Sequence, residues 1–584
     1  MDMRVEGTLS GYEVLVATLK SWGIDICAGV TGGGAIRFLR HLPPCRPGED
    51  AGDRPGPSEI GFLSLGEYAA GFVPLGTYLA SGRIGACIAT TGAATKLLCC
   101  GLSDAKLHDI PAVYIVPVSA ASTEGLSPLQ DTSRHGSHML AQLRAELPDG
   151  VFVLDDATAI GPQLQAAHAQ LQRRKPVVLI LDHAALQTEI VADPDPAHQP
   201  AEALPSPDAA ETDAFAEAFR RSIPGRRVVI LAGEELARHA DAPRLTTRLC
   251  ELLGAPMVWS INGANGVERG NPHGYGYISF GGNDAAIELW RSIGAEDVLL
   301  VLGACPDEYT VNLAPYRAGD TFVLTGIEDG YGQVAGGFGH RAAGAYRQLV
   351  APLDAALRML IGRLERQPPG NRRTGPAPEN LNMRRPGAPR PGHVDMAALL
   401  KALDARWRPN TIGFDDVCLA YKDRQYAVQR PHPQARFFSL YRGSAMGNAL
   451  GLAIGAKLAA PESDVVAFTG DGCFRLFAGY LAEARDLGLL LFVLDNASYG
   501  IVEQGVGTIV PDAPASRRHV RIARMDFAAM AGACGWRAAA LRPDLANLDE
   551  ILAAHHGGPS RSTLVTVPVD PEHILGINPR AGNL

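Results

Sequence analysis

The 584-residue sequence has ten cysteines but no C-x-x-C pair, and two of the ten, Cys99 and Cys100, are adjacent. That spacing gives neither a disulfide framework nor a zinc pattern, so buried free thiols are expected. No apolar run reaches the roughly 18–20 residues needed to span a bilayer; candidates such as Leu487–Leu494 are strand-sized. The opening residues, MDMRVEGTLSGYEVLV, lack the basic–apolar–small order of a signal peptide. Basic charge is also short. The 53 Lys+Arg face 62 Asp+Glu, leaving −9, which argues against nucleic-acid or membrane-surface partners. With 46% hydrophobic residues, global disorder is excluded. A soluble, cytoplasmic chain of several domains is expected, since domains take about 100–200 residues each.

What is present is a repeated alternation. Short apolar runs, at Ala86–Thr90, Ala112–Val118, Val177–Leu181, Val228–Ala232, Val298–Leu302, Val465–Phe468, Leu489–Leu494 and Leu564–Val567, are separated by longer amphipathic stretches. Continuously apolar short strands between helices indicate parallel sheets buried on both faces. The fold class is therefore α/β, doubly wound several times. Residues 193–212 and 367–392, rich in Pro and polar residues, read as linkers, and 43–58 as a loop insertion. Three units follow, about 1–192, 213–366 and 393–584.

The most informative stretch is Val465–Gly500, which reads strand, turn, helix, strand, turn. Asp471 follows the first strand in Gly470-Asp471-Gly472, and Asn496 follows the second, 25 residues later. A right-handed crossover sets two such parallel strands side by side, and both ends open at the carboxyl edge, where α/β sheets bind ligands. One carboxylate and one amide oxygen converging there suit Mg²⁺, with phosphate and water completing an octahedral shell. The flanking glycines let the backbone approach a diphosphate.

This pair resembles the signature of thiamine-diphosphate enzymes, a GDG followed some two dozen residues later by a paired Asn, here Asp495-Asn496. The resemblance implies metal ligation by Asp471, Asn496 and the main-chain oxygen of Ser498. It implies cofactor contacts from Gly470, Gly472, Cys473, Tyr499 and Gly500. Two further stretches match in order. Residues 61–119 resemble the pyrimidine-binding domain of the acetolactate synthase and 2-oxo acid decarboxylase group. By itself Glu67 reads as an acid in a first helical turn; the resemblance implies instead the carboxylate that activates the cofactor's pyrimidine ring. Gly443-Ser444-Ala445-Met446-Gly447 resembles the family's turn, with Met446 as the bulky residue that bends the cofactor and the backbones of Ser444 and Met446 holding its aminopyrimidine. AGVTGGGAIRFL (28–39) resembles the group's Gly-rich turn near the start of the first sheet. Residues 226–326 resemble the family's middle, Rossmann-like domain; the basic residue expected after Leu302-Gly303 is replaced by Ala304-Cys305-Pro306, so no FAD is expected.

The resemblance implies an enzyme that uses thiamine diphosphate and Mg²⁺ to decarboxylate a pyruvate-like 2-oxo acid and to transfer the acyl unit to a second carbonyl. Simple decarboxylation to an aldehyde is the alternative. Gln130 is a candidate on the substrate side. His108 and His135 are acid–base candidates because imidazole titrates near neutrality. His555-His556 are expected to be exposed, and Arg517-Arg518-His519 to sit on a solvated segment or lid. Because Glu67 and Asp471 fall in different domains, a homodimer or homotetramer with sites between chains is expected. A rival reading takes GVTGGGAIRFL (29–39) as a dinucleotide turn of a nicotinamide-dependent oxidoreductase, but the G-x-G-x-x-G order is not clean.

Overall fold

In the computed structural model, residues 8–46, 59–191, 209–327, 339–367, 369–558 and 560–583 are described. The expected linker 193–212 and insertion 43–58 lie largely outside them. Three six-stranded sheets, all parallel, follow one another along the chain. The first holds β1 (Ile26–Gly29), β2 (Gly61–Ser64), β3 (Gly85–Ile88), β4 (Ala112–Pro117), β5 (Val151–Leu154) and β6 (Val177–Leu181) in the order β2-β1-β3-β4-β6-β5. The second holds β7 (Arg227–Ala232), β8 (Met257–Trp259), β9 (Gly274–Tyr277), β10 (Asp297–Leu302), β11 (Asp320–Thr325) and β12 (Ala345–Val350) in the order β9-β8-β7-β10-β11-β12. The third holds β13 (Thr411–Asp415), β14 (Ala435–Phe438), β15 (Val465–Gly470), β16 (Leu490–Asp495), β17 (Arg537–Ala540) and β18 (Thr563–Pro568) in the order β14-β13-β15-β16-β18-β17. The first and third orders are the same.

Each apolar run named from the sequence is one of these strands. β4, β6 and β10 are buried along their whole length, as expected of sheets covered by helices on both faces. The strands not singled out from the sequence, such as β2, β5, β9 and β17, are short, edge-proximal or rich in Gly and Ala. Helix starts follow local rules. Asp395 caps the helix Met396–Asp404 by accepting from the amides of Ala397 (2.8 Å) and Ala398 (3.2 Å), while Leu399, Leu400 and Leu403 turn inward.

The first and third domains pack through helices of small residues. After β2 come α1 (Glu67–Ala70) and α2 (Val73–Ser81); after β3 comes α3 (Ala93–Leu107). In the third domain, α4 is Leu419–Val428, α5 Ala449–Ala459 and α6 Gly500–Ile509. A Cβ on Gly76 would stand 2.0 Å from the Leu452 carbonyl, and one on Gly455 2.1 Å from that of Val73. Only glycine lets α2 and α5 approach this closely. Residues 369–392 form an extended strap, excluded from helix by proline. It is tied to the middle domain by Arg372 N–H to the Arg226 carbonyl (2.8 Å) and to the third by Arg390 on Asp570. No helix among the described residues is long and apolar enough to cross a membrane.

Candidate active site

β15 and β16 are paired neighbours, Gly470 lying opposite Leu494. Asp471 and Asn496 therefore leave the same carboxyl edge. The Asp471 carboxylate accepts the Gly472 amide (2.9 Å) and faces the amides of Ala497 and Asn496. Burial, with Asp495 nearby, outweighs these donors and raises its pKa to about 6. Asn496 Oδ1 accepts the Ser498 amide at 2.9 Å, and Ala497 takes a left-handed φ of 53°. The loop is pinned from behind, where Tyr499 N–H and Ser498 Oγ both donate to the Val520 carbonyl (2.9 and 3.2 Å) and Ile522 N–H donates to that of Ala497 (3.0 Å). Arg517 and His519 lie exposed just before this pairing, with Arg518 half-buried between them.

Gly472 lies under the Tyr499 ring. A Cβ there would stand 2.8 Å from the ring and 3.6 Å from Met446 Cε. Gly472, Tyr499 and Met446 thus line one cradle. Cys473 is buried and donates its thiol to the Val417 carbonyl (3.1 Å). Gly500 opens α6 against Asn496, whose Nδ2 would be 2.6 Å from a Cβ. The turn carrying Met446 is irregular, with Ser444 at φ 51° and Gly447 at φ 82°. Beneath it lies a carboxylate that the sequence reading missed. Asp416, one residue past β13, accepts Gly447 N–H (2.9 Å), Val417 N–H (2.7 Å) and Thr469 Oγ (2.8 Å). Burial lifts its pKa to about 6 despite these donors.

Glu67 is half-buried at the head of α1, at the carboxyl end of β2. Its neighbours reach the third domain: a Cβ on Gly66 would meet the Tyr480 ring at 2.2 Å, and Tyr68 Oη donates to the Met446 carbonyl. Gln130 accepts from Thr91 Oγ (2.6 Å) and lies beside Gly92, at the same carboxyl edge of the first sheet as Glu67. Gly34 packs against Thr90 and Thr91, and the helix that follows spans only Ile36–Leu39. The long helix needed to hold a dinucleotide there is missing.

Two expectations are corrected. His108 caps the far end of α3, a 15-residue helix about 22 Å long, away from the Gly92 turn. It is 1% exposed and locked in a junction of all three domains: Nδ1 is 3.0 Å from Glu234, and Nε2 receives the Arg442 amide. Arg442 also binds Asp307 at 2.8 Å. His108 is thus buried, with both ring nitrogens engaged at this junction. His555 is buried, with Nδ1 3.0 Å from Thr563 Oγ; only its neighbour His556 is exposed, and it pairs with the half-buried Asp464. A cavity of about 1090 Å³ touches the His108 junction but lies at the amino edge of the third sheet, away from Asp471. Among the described residues no three His, Cys, Asp or Glu side chains gather into a metal cluster. A divalent ion at this site would therefore depend on Asp471 together with amide and main-chain oxygens.

In the middle sheet, ligands of doubly wound folds bind where the order reverses, between β7 and β10. Here the crevice is filled. A Cβ on Gly233 would lie 2.1 Å from the Gly303 carbonyl, and the fully buried Glu235 accepts from Thr325 Oγ (2.9 Å) and the Gly326 amide.

Comparison with known proteins accords with this layout. Residues 9–144 match the N-terminal TPP binding domain of thiamine pyrophosphate enzymes, 216–327 the central domain, and 423–565 the C-terminal TPP binding domain. An acetolactate synthase large-subunit homologue of Mycobacterium tuberculosis is 26% identical over 582 residues, 96% of this chain and 97% of its own. A 2-ketoarginine decarboxylase homologue of Pseudomonas aeruginosa is 24% identical, over 85% and 84%. The solved structure of a thiamine diphosphate-dependent 4-hydroxybenzoylformate decarboxylase of Rhodococcus jostii superposes with a TM-score of 0.76 at 18% identity, over 96% of this chain and 99% of its own, and so shares the fold. The chain therefore belongs to the thiamine pyrophosphate enzymes, in the group that joins acetolactate synthases with 2-oxo acid decarboxylases.

Proposed function

We propose that this enzyme decarboxylates a pyruvate-like 2-oxo acid, with Mg²⁺ as the metal, and passes the acyl unit to a second carbonyl compound. The observation that carries the reading is the buried Asp471 carboxylate beside Asn496 at two adjacent strand ends, under the Gly472–Tyr499–Met446 cradle. Asp471, Asn496 and the Ser498 carbonyl would hold the ion and through it the diphosphate. When bound, thiamine diphosphate supplies a nucleophilic carbon and a sink for the electrons left by CO₂. Met446 would set the bend that brings the cofactor's two rings together. Glu67 would hold a proton at the pyrimidine nitrogen. Gln130 would orient substrate.

Acyl transfer is favoured by the likeness to acetolactate synthase chains over nearly the full length. Simple decarboxylation has the support of the 2-ketoarginine decarboxylase homologue. Product analysis after incubation with pyruvate, thiamine diphosphate and Mg²⁺ decides between them. A carboligated hydroxyketo acid is expected, and acetaldehyde as the sole product overturns the transfer reading. The same proposal includes domain limits at 1–192, 213–366 and 393–584, a cytoplasmic location, and no FAD, because Glu235 fills the crevice of the middle sheet. It also places each site between two chains, so an active monomer by light scattering would contradict it.

A further inference from the structure

The stretch 516–524, SRRHVRIAR, gathers four arginines and a histidine in a chain whose net charge is −9. It lies beyond α6 and is bonded to the loop that leaves β16. The Val520 carbonyl accepts from Tyr499 N–H and Ser498 Oγ, Ile522 N–H donates to the Ala497 carbonyl, and Arg521 stands opposite Ser498 in an antiparallel bridge. The stretch is thereby fixed beside Tyr499, whose ring covers Gly472 in the cradle shared with Met446.

Its charges differ in their partners. Arg521 pairs with Glu503 at 2.7 Å and Arg524 with Asp495 at 3.7 Å. The half-buried Arg518 donates to the Ala513 carbonyl at 3.2 Å. Arg475, just after the Asp471 turn, donates to the Ala523 carbonyl and adds a further positive charge. The acid that follows the stretch, Asp526, is engaged in capping the helix Phe527–Ala533, and Asp512 is exposed before it. Arg517 and His519 are exposed, and among the described residues no side-chain partner meets either. At 3.8 Å per residue, the Arg517 Cα is at most about 11 Å from that of Val520. The φ of 52° at His519 breaks the extended run between them.

We propose that Arg517, with His519 as a second donor, forms an anion subsite at the rim of the cradle, so that the enzyme favours a 2-oxo acid carrying a second carboxylate at its far end. The proposal rests on the thiamine diphosphate reading and names the substrate class of that site. A guanidinium held on the reacting carboxylate would stabilise the group that must leave as CO₂, and so would favour the ground state over the transition state. A distal carboxylate keeps its charge through the reaction. It can be held in a bidentate pair from binding to release, and that hold orients the reacting carbon. The arginines already matched by Glu503 and Asp495 are spent on structure; Arg517 is the one left for substrate.

The test compares 2-oxoglutarate with 2-oxopentanoate, equal in length but neutral at the far end, on protein loaded with thiamine diphosphate and Mg²⁺. CO₂ release from each acid alone reads it as donor, and ligated product formed with pyruvate as donor reads it as acceptor. In one of these roles 2-oxoglutarate should be preferred by about tenfold or more in kcat/KM, the size of one charge-assisted hydrogen bond. Arg517→Gln should remove most of that preference. Arg524→Gln, which deletes an exposed arginine of the same stretch that is already paired, should keep it. Calorimetric titration with glutarate, which cannot react, gives the same contrast without turnover: Arg517→Gln should weaken binding about tenfold and Arg524→Gln should not. No preference in either role, or equal losses in the two variants, overturns the subsite, while turnover of pyruvate leaves the decarboxylase reading standing. A protein that turns over none of the three acids overturns both.

Discussion

The first and third domains are built on the same strand order, yet their carboxyl edges carry different chemistry. After the third strand in chain order, the N-terminal domain has Thr90-Thr91-Gly92, tied by a hydroxyl to Gln130; the C-terminal domain has Gly470-Asp471-Gly472, with a buried acid. After the second strand, one offers Glu67 at a helix start and the other the irregular Gly443–Gly447 turn. The scaffold fixes where ligands can lie, and a few residues at each edge decide what is held. In the proposed function, one edge holds a metal-bridged diphosphate and the other a proton on a heterocycle.

The division can be tested from both sides. Glu67→Gln keeps the shape and removes the ionisable proton site. Turnover should fall by about 10²–10⁴-fold, the usual contribution of general acid–base groups, with thiamine diphosphate affinity nearly unchanged. Unaltered steady-state turnover would remove Glu67 from its role. Asp471→Ala should do the reverse, weakening Mg²⁺-dependent cofactor binding by at least about 100-fold, since a charge-assisted ligand is lost. Thr91→Ala at the matching turn should leave that affinity unchanged, and equal losses in the two variants by calorimetry would erase the contrast.

A smaller effect concerns acid stability of the C-terminal domain. Burial lowers the His555 pKa from 6.5 to about 4. Between those values the unfolded chain binds the proton and the folded chain does not. Stability should therefore fall as pH drops from 6.5 towards 4 and level off below, with up to about 3 kcal/mol at stake from this group. Denaturant unfolding of His555→Gln against wild type across that window should show a flatter acid limb; an identical limb would contradict the assignment. The smallest expected change is at the domain junction. His108→Asn should destabilise by about 1–3 kcal/mol, as for a broken buried hydrogen bond, and leave the pH profile of turnover in place. A displaced profile would return His108 to the chemistry.

Much of this was legible before folding. The apolar runs became buried parallel strands because a segment of β-branched and aliphatic residues flanked by Gly, Pro and Asp has few other ways to be satisfied. The Asp471–Asn496 pairing followed from spacing, since a crossover of that length returns the chain to a neighbouring strand. Asp416 and Tyr68 were not legible. Their partners lie 31 and 378 positions away, at Gly447 and Met446, and nothing local separates such a residue from any other acid or tyrosine. His108 misled for the same reason. An imidazole near a candidate site is chemically eligible wherever it lies, and only the length and direction of α3 carry it to the far end.

The sequence by itself determined the class of fold, the three-sheet layout and the strand ends from which Asp471 and Asn496 leave, because period, strand length and glycine placement act locally. The tertiary structure alone decided which amide the buried Asp416 faces and which carbonyl Tyr68 reaches, because those contacts join segments 31 and 378 residues apart. It also decided that His108 and Glu234 seal a junction and that Glu235 fills the middle crevice.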